Sequence, residues 1–531
     1  MNTIIPSLSW LLARIVVCAI VSLVLQPQIP LAQAQELAFQ LALESLSSER
    51  MLADIRTLSG PAFNGRQSGT NADLESARWV AQEFLSAGLR FPRVHNGSLV
   101  VPSFTEKDGA SSGAIATIVP TPVFAPDPIV RAGSTDRLDT KTLGLDYLPI
   151  FDSPSAEIQA PIVFVGYGIV DADQHIDDYA GVDVTNCIVL FLRGRPEHYP
   201  RAVSHADKVR SARERGAIGY LTATGPLLHP YEIRRGVTGS PSAFYGQLPQ
   251  DQAIPGAWIS TAMAQMLLQQ SDGTGSDRLR ILQERLNQTP SSQATKTDSF
   301  ASLQWKTITE NGLLINVLGM IPGTGPETVI IGAHRDHFGR PGGLLFPGAD
   351  DNASGTAVIL EVARALAKLE RRPSQTIFFI SFSGEERDML GSRLYTSHPV
   401  VPLRLTKAMI NIDHAGVGNG RLTVGVTGIE KDIALEAGQS AGVKEKLDLY
   451  GFFPGGDHVP FKEAGVPTVT IVSGGVHPHF HQPTDTADTI DPKILKVTSQ
   501  FVLGLTWQLA YGSTDKEGES NTISPLPQQP K

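Results

Sequence analysis

From Thr328 onward the chain alternates short apolar runs with helix-forming stretches, and this alternation limits the possible folds more than any other feature. TVIIGA (328–333), TIFFISF (376–382), KAMINID (407–413) and TVTIV (468–472) lack the in–out alternation of a half-exposed strand. Runs of this length, rich in β-branched and aromatic residues, are strands covered on both faces. Between them, Ser354 is placed as the N-cap of TAVILEVARALAKLE. Asp491-Pro492 opens a helix with Ile494, Val497, Phe501, Leu505 and Leu509 on one stripe. The expected fold is α/β: a three-layer, mostly parallel central sheet flanked by helices.

At 531 residues the chain exceeds one ordinary core. Helical spacing of Leu74, Ala77, Val80, Phe84 and Leu85 marks the region from Gln35 to about Pro92, which closes at Gly88. Residues from about 94 to 160 are rich in Pro, Gly and Asp and read as strands and loops. PIVFVGYGIV, NCIVLFLRG and AIGYLTAT then read as three buried strands, with a helix over Ala206–Arg215. The polar stretch TPSSQATKTDSF, ending at Phe300, reads as a linker. The polar, Pro-rich segment 513–531 reads as a disordered tail.

With 53 acidic and 44 basic side chains and no basic block, nothing points to nucleic acid or to an anionic membrane surface. Residues 1–34 read as a signal peptide: Arg14, an apolar run from Ile15 to Leu25, then Ala32-Gln33-Ala34 as the cleavage site. The run is short for a membrane span. The expectation is a secreted or periplasmic protein, cleaved after Ala34, with no stable membrane insertion. The mature chain then keeps only Cys187, in the apolar stretch CIVLFL, so it has no internal disulfide.

Five short motifs follow the strands: GAHRDH, GADDNASG, SGEER, NIDHAG and HFHQPTDT. Taken singly, each has an ordinary reading as a solvated loop or a helix cap. Together they place His334, Glu385, Glu386, Asp413 and His481 beyond strand ends, where open α/β sheets bind ligands, and Asp351 just before a helix. Two imidazoles and three carboxylates suit two zinc ions if one carboxylate bridges them. Asp351 is the expected bridge, with His334 and Asp413 on one ion and Glu386 and His481 on the other. Glu385 diverges from its neighbour and is left to move a proton as general base. Asp336 is placed to accept the second imidazole N–H of His334. His337, His414, His458, His477 and His479 read as wall or supporting groups. The loop from Pro341 to Gly348 is either a flexible rim or a wall of the substrate pocket.

These motifs, with GGDHVPF and the earlier NGRQSGT, resemble the two-zinc metallo-aminopeptidases of the bacterial leucyl aminopeptidase type, relatives of glutamate carboxypeptidase II and the transferrin receptor. The resemblance implies a zinc exopeptidase fold, with the same five residues on two zinc ions per subunit and Glu385 as general base. VFVGYGI, DDYAGVDV and NCIVLFLRG resemble a mainly-β protease-associated domain. The implied layout is a discontinuous peptidase domain (35–129 and 301–512) interrupted by that insert (130–300). In one position the chain departs from the pattern: Phe480 stands where the family often has a tyrosine whose hydroxyl helps the tetrahedral oxyanion.

The expected activity is removal of N-terminal residues from peptides by a hydroxide held between the two ions. A carboxypeptidase or dipeptidase is the nearest alternative. The complete ligand set argues against a one-zinc glutaminyl cyclase and against a non-catalytic binding protein.

Overall fold

The computed structural model describes residues 31–92, 114–228, 232–233, 236–249, 251–269 and 275–512. The expected signal peptide lies outside them except for its last four residues, and the expected tail 513–531 lies outside them entirely. The described residues divide into two compact units, one ending at Ser45 and the other beginning at Leu46. In the first, the helix Leu31–Ser45 runs through Ala34. No helix among the described residues is long and apolar enough to cross a membrane.

The larger unit holds two eight-stranded sheets. We number the strands of the main sheet β1 (Ala114–Phe124), β2 (Thr307–Ile321), β3 (Thr328–His334), β4 (Thr376–Phe382), β5 (Thr406–Ile412), β6 (Leu422–Thr427), β7 (Leu447–Tyr450) and β8 (Thr468–Ser473). Their order is β1-β2-β4-β3-β5-β8-β6-β7. The central four, β4-β3-β5-β8, are parallel, as expected of runs buried on both faces. The antiparallel pairings flank them, so the sheet is parallel where it carries chemistry.

Helices cover this sheet. Gly355–Ala367 is buried along almost its whole length, and Ser48–Leu58 and Pro492–Ala510 pack against it. Ser354 is not the expected cap. Its Oγ donates to the Asp350 carbonyl at 2.6 Å and accepts the Ala415 N–H at 2.8 Å, while Asn352 Oδ1 accepts the N–H of Gly355 at 2.8 Å. Asp491 does cap its helix, accepting from the Lys493 N–H at 2.8 Å.

The second sheet is an insert between β1 and β2. By strand pairing it runs from Ile129 to Trp305, and its strands Ala156–Phe164, Ile188–Leu192, Gly219–Ala223 and Gly256–Ile259 are parallel. Residues 295–300, read as linker, instead begin a long strand, Thr295–Trp305, paired on both sides. Its odd–even pattern of burial hides small and apolar side chains among polar ones, which obscures it in the sequence. Alternate residues of the central strand separate two cores: Ile188, Leu190 and Leu192 pack on one face, Val189 and Phe191 on the other. Val209 and Ala212 of the helix His205–Glu214 join the second core, and Thr261–Leu268 and Arg278–Gln288 cover the first. The mainly-β insert thus has helices on both faces. Cys187 is buried at the edge of its central strand and is a free thiol.

The loop 341–348 is neither free rim nor pocket wall. Phe346 is fully buried and joins Phe338, Phe151, Leu148, Ala243 and Tyr245 in one apolar cluster. That cluster lies where insert and main sheet meet, and the Phe151 ring stands 5.5 Å from that of Phe346.

Candidate metal centre

The parallel strands deliver their ends to one rim. His334 closes β3, Asp413 follows β5, Glu385 and Glu386 follow β4, and His481 lies in the loop beyond β8. Asp351 sits in an irregular turn, Ala349–Ser354, at the head of the helix Gly355–Ala367. All six predicted side chains come together, and none is more than 18% exposed.

Their atoms form two groups that share Asp351. His334 Nε2 lies 3.4 Å from Asp351 Oδ1 and 3.4 Å from Asp413 Oδ1. His481 Nε2 lies 3.1 Å from Asp351 Oδ2 and 3.4 Å from Glu386 Oε2. Ligands held tetrahedrally at about 2.0–2.2 Å from one zinc stand roughly 3.3–3.6 Å from one another. The spacing and the donor types fit one ion in each group, with one Asp351 oxygen toward each. Glu385 is offset, its nearest oxygen 4.0 Å from His334 Nε2.

The electrostatics support a cationic occupant. Four carboxylates share this small buried volume, which is costly unless cations compensate. Burial, together with the neighbouring Asp413, pushes Glu385 up to about 8. Burial and the Asp351 charge push Glu386 well above the usual carboxylate range. Burial works the same way on Asp351, but His414, His481 and His337 hold it well below that range.

The supporting groups differ partly from expectation. His334 Nδ1 faces the main-chain carbonyl of Asp336 at 3.2 Å, whereas the Asp336 carboxylate is 3.7 Å away. That carboxylate instead accepts the backbone N–H of Glu385 at 3.2 Å, so it holds the β4 loop more directly than the imidazole. His337 lies closer in than a wall residue, its Nδ1 2.7 Å from Glu386 Oε1. The oxygen facing His481 is the other one, Oε2, so His337 is suited to orient Glu386 rather than replace His481. His414 and His477 both bond Asp350, at 3.2 and 2.7 Å. His458 Nε2 pairs with the Phe453 carbonyl at 2.8 Å, and His479 Nδ1 with Thr484 Oγ1 at 2.9 Å.

Two functional neighbours escaped sequence reasoning. Asp485 accepts the backbone N–H groups of Asp350 and Asp351 at 2.9 and 3.0 Å, holding the turn that carries the shared carboxylate. Arg66, inside NGRQSGT, is wholly buried and donates to the carbonyls of Arg335, Leu58, Pro347 and Gly348. It ties the His334 and Asp351 loops together. Each lies in a motif already singled out, but their carbonyl and N–H partners come from distant segments.

A cavity of about 360 Å³ opens onto the rim. Asp351, Glu385 and Asp413 form one side, and Arg193, His205 and Phe244 of the insert form the other. Phe480, where the resemblance anticipates a tyrosine, also lines it. Its ring stacks on His481 at 3.7 Å and packs against the insert's second core.

Comparison with known proteins bears on the family likeness and the fold. Residues 316–506 match Peptidase family M28. A segment covering 37% of the chain is 30% identical over 215 residues to the "Probable leucine aminopeptidase" of Arthroderma otae and spans 58% of it. Another is 31% identical over 210 residues to "Aminopeptidase YwaD" of Bacillus subtilis, covering 37% of this chain and 44% of that protein. The chain thus spans about half the length of the curated relatives it matches. The solved aminopeptidase from Aneurinibacillus sp. strain AM-1 shares the fold over 92% of this chain and 98% of its own, with a TM-score of 0.62 and 21% identity.

Proposed function

We propose that the chain is an exported zinc-dependent aminopeptidase that removes N-terminal residues from peptides at a pair of zinc ions. One observation carries this reading: two imidazole–carboxylate groups share Asp351 at separations of 3.1–3.4 Å, close to the edge lengths of zinc tetrahedra, in a buried volume crowded with carboxylates. His334 and Asp413 would hold one ion, His481 and Glu386 the other, and Asp351 both. When bound, zinc supplies Lewis acidity and lowers the pKa of water to near neutrality.

The chain's own residues then divide the work. Glu385, beside the ligands but not among the close pairs, takes the proton of the attacking water and returns it to the leaving amine. Asp336 holds the Glu385 backbone, so the carboxylate keeps its place. The cavity lies at the small end of ligand pockets, about 300–1,000 Å³, and suits a chain terminus rather than a folded segment. Export rests on the N-terminal segment, and the insert is taken as a protease-associated domain on its resemblance.

The test is hydrolysis of aminoacyl p-nitroanilides and of peptides blocked at one end, with and without chelator. The reading expects cleavage from free N-termini, lost on chelation and restored by zinc. Cleavage only of N-blocked peptides from their C-termini would replace it with the carboxypeptidase alternative. Chelator-resistant hydrolysis would remove the metal mechanism.

A further inference from the structure

The proposed histidine ligands are supported from different places. His334 Nδ1 faces a carbonyl two residues along its own chain, that of Asp336. The partner of His481 Nδ1 is the carbonyl of Ala243 at 2.8 Å, 238 positions away and inside the insert. The contact is reciprocal, since the Ala243 N–H donates to the His481 carbonyl at 3.0 Å. Gln482 adds two more bonds, its Nε2 donating to the Pro241 carbonyl at 2.9 Å and to Ser242 Oγ at 2.8 Å. At the far end of this segment, Gly236 has φ +70°, and a Cβ there would stand 1.8 Å from the His477 carbonyl oxygen. From Gly236 to Ala243 the insert therefore lies directly on the 477–482 loop.

We propose that this segment of the insert is part of the metal centre. The Ala243 carbonyl holds the proton of His481 on Nδ1, which leaves the Nε2 lone pair aimed at Asp351 and Glu386. A histidine binds a metal through one nitrogen only when the other carries the proton, and the acceptor for that proton sets the tautomer and the ring angle. His334 needs nothing from the insert. The ion shared by His481 and Glu386 is consequently coupled to the seating of the insert, while the ion shared by His334 and Asp413 is not. Coupling of this kind is reciprocal: that ion stabilises the seated insert as the seated insert strengthens its binding. The insert is a positioning element of the site and not only a cover over it. This inference rests on the two-ion reading above.

The experiment is calorimetric titration of zinc into the metal-free full-length protein, for wild type, Gln482→Ala and Gly236→Ala. Melting curves with and without zinc and the absorption spectrum of the cobalt(II) form accompany it. Loss of an outer hydrogen-bond partner typically weakens metal affinity about 10–100-fold. The expectation is a loss of that size at one of two binding steps, with the other unchanged. The zinc-induced rise in melting temperature should shrink, and the cobalt spectrum should lose the contribution of one site. Wild-type affinity at both steps in both variants would overturn the proposal. So would equal weakening of both steps together with a lower metal-free melting temperature, because that is general destabilisation. Wild-type protein binding fewer than two zinc ions would instead overturn the two-ion reading. The clamp would then be judged on any ion that remains, and unchanged affinity in Gln482→Ala would overturn it.

Discussion

The rim of the main sheet and the interior of the insert both take side chains out of water, yet they bury opposite things. At the rim, Asp351, Glu385, Glu386 and Asp413 crowd against the imidazoles of His334, His337, His414 and His481, an arrangement that hydrophobic burial cannot stabilise. Inside the insert, a strand as apolar as Ile188–Leu192 separates two cores of aliphatic and aromatic side chains. There the buried cation Lys208 is satisfied by the carbonyls of Leu192 and Gly194. The difference shows where each half draws its stability. The insert is held by apolar burial on both faces of its sheet, whereas the carboxylates crowded at the rim call for a compensating cation.

Substitutions can break this contrast. The largest effect is expected of Asp351→Ala, which removes the carboxylate common to both groups; zinc analysis should find both ions lost and peptide hydrolysis at background. Retention of either ion at full affinity would end its role as a bridge. Glu385→Gln should lower kcat by roughly 10²–10⁴-fold while zinc content stays at the wild-type value. Near-normal activity would remove Glu385 as the proton carrier.

Asp73→Ala reaches a buried pair behind the rim. Arg335 Nη2 and Asp73 Oδ1 lie 2.7 Å apart, with both side chains fully buried. Breaking a buried pair by removing one partner costs about 3–5 kcal/mol, which denaturant unfolding should register. The smallest effect is expected in the insert. Lys208→Met leaves the two carbonyls unpaired and should cost about 1–3 kcal/mol, with zinc content unaltered. A change in zinc content there would blur the division between the halves.

The legibility of the two regions differs for a related reason. The central strands were readable because a strand covered on both faces is apolar throughout, and the candidate ligands were readable because metals demand particular donor types. The strand Thr295–Trp305 was not, since only alternate residues are buried and Lys, Asp and Gln occupy the others. The cap at the head of the helix Gly355–Ala367 was misread because Ser354 and Asn352 are both suitable types, and the irregular turn before it decides between them. Arg66 and Asp485 lay in plain view within their motifs, but their partners are backbone groups, which leave no mark on the sequence.

The sequence by itself determined the parallel core of the main sheet, the set of six chemical residues and their delivery to one sheet edge. Periodicity and donor chemistry are local properties and survive in one dimension. Only the tertiary structure decided which oxygen of Asp351 faces which imidazole, that Asp336 steadies Glu385, and that the loop 341–348 is an interface core. It alone showed that the last histidine is oriented by a carbonyl of the insert. Such contacts join segments hundreds of residues apart through main-chain atoms common to every residue, so nothing in the amino-acid types announces them.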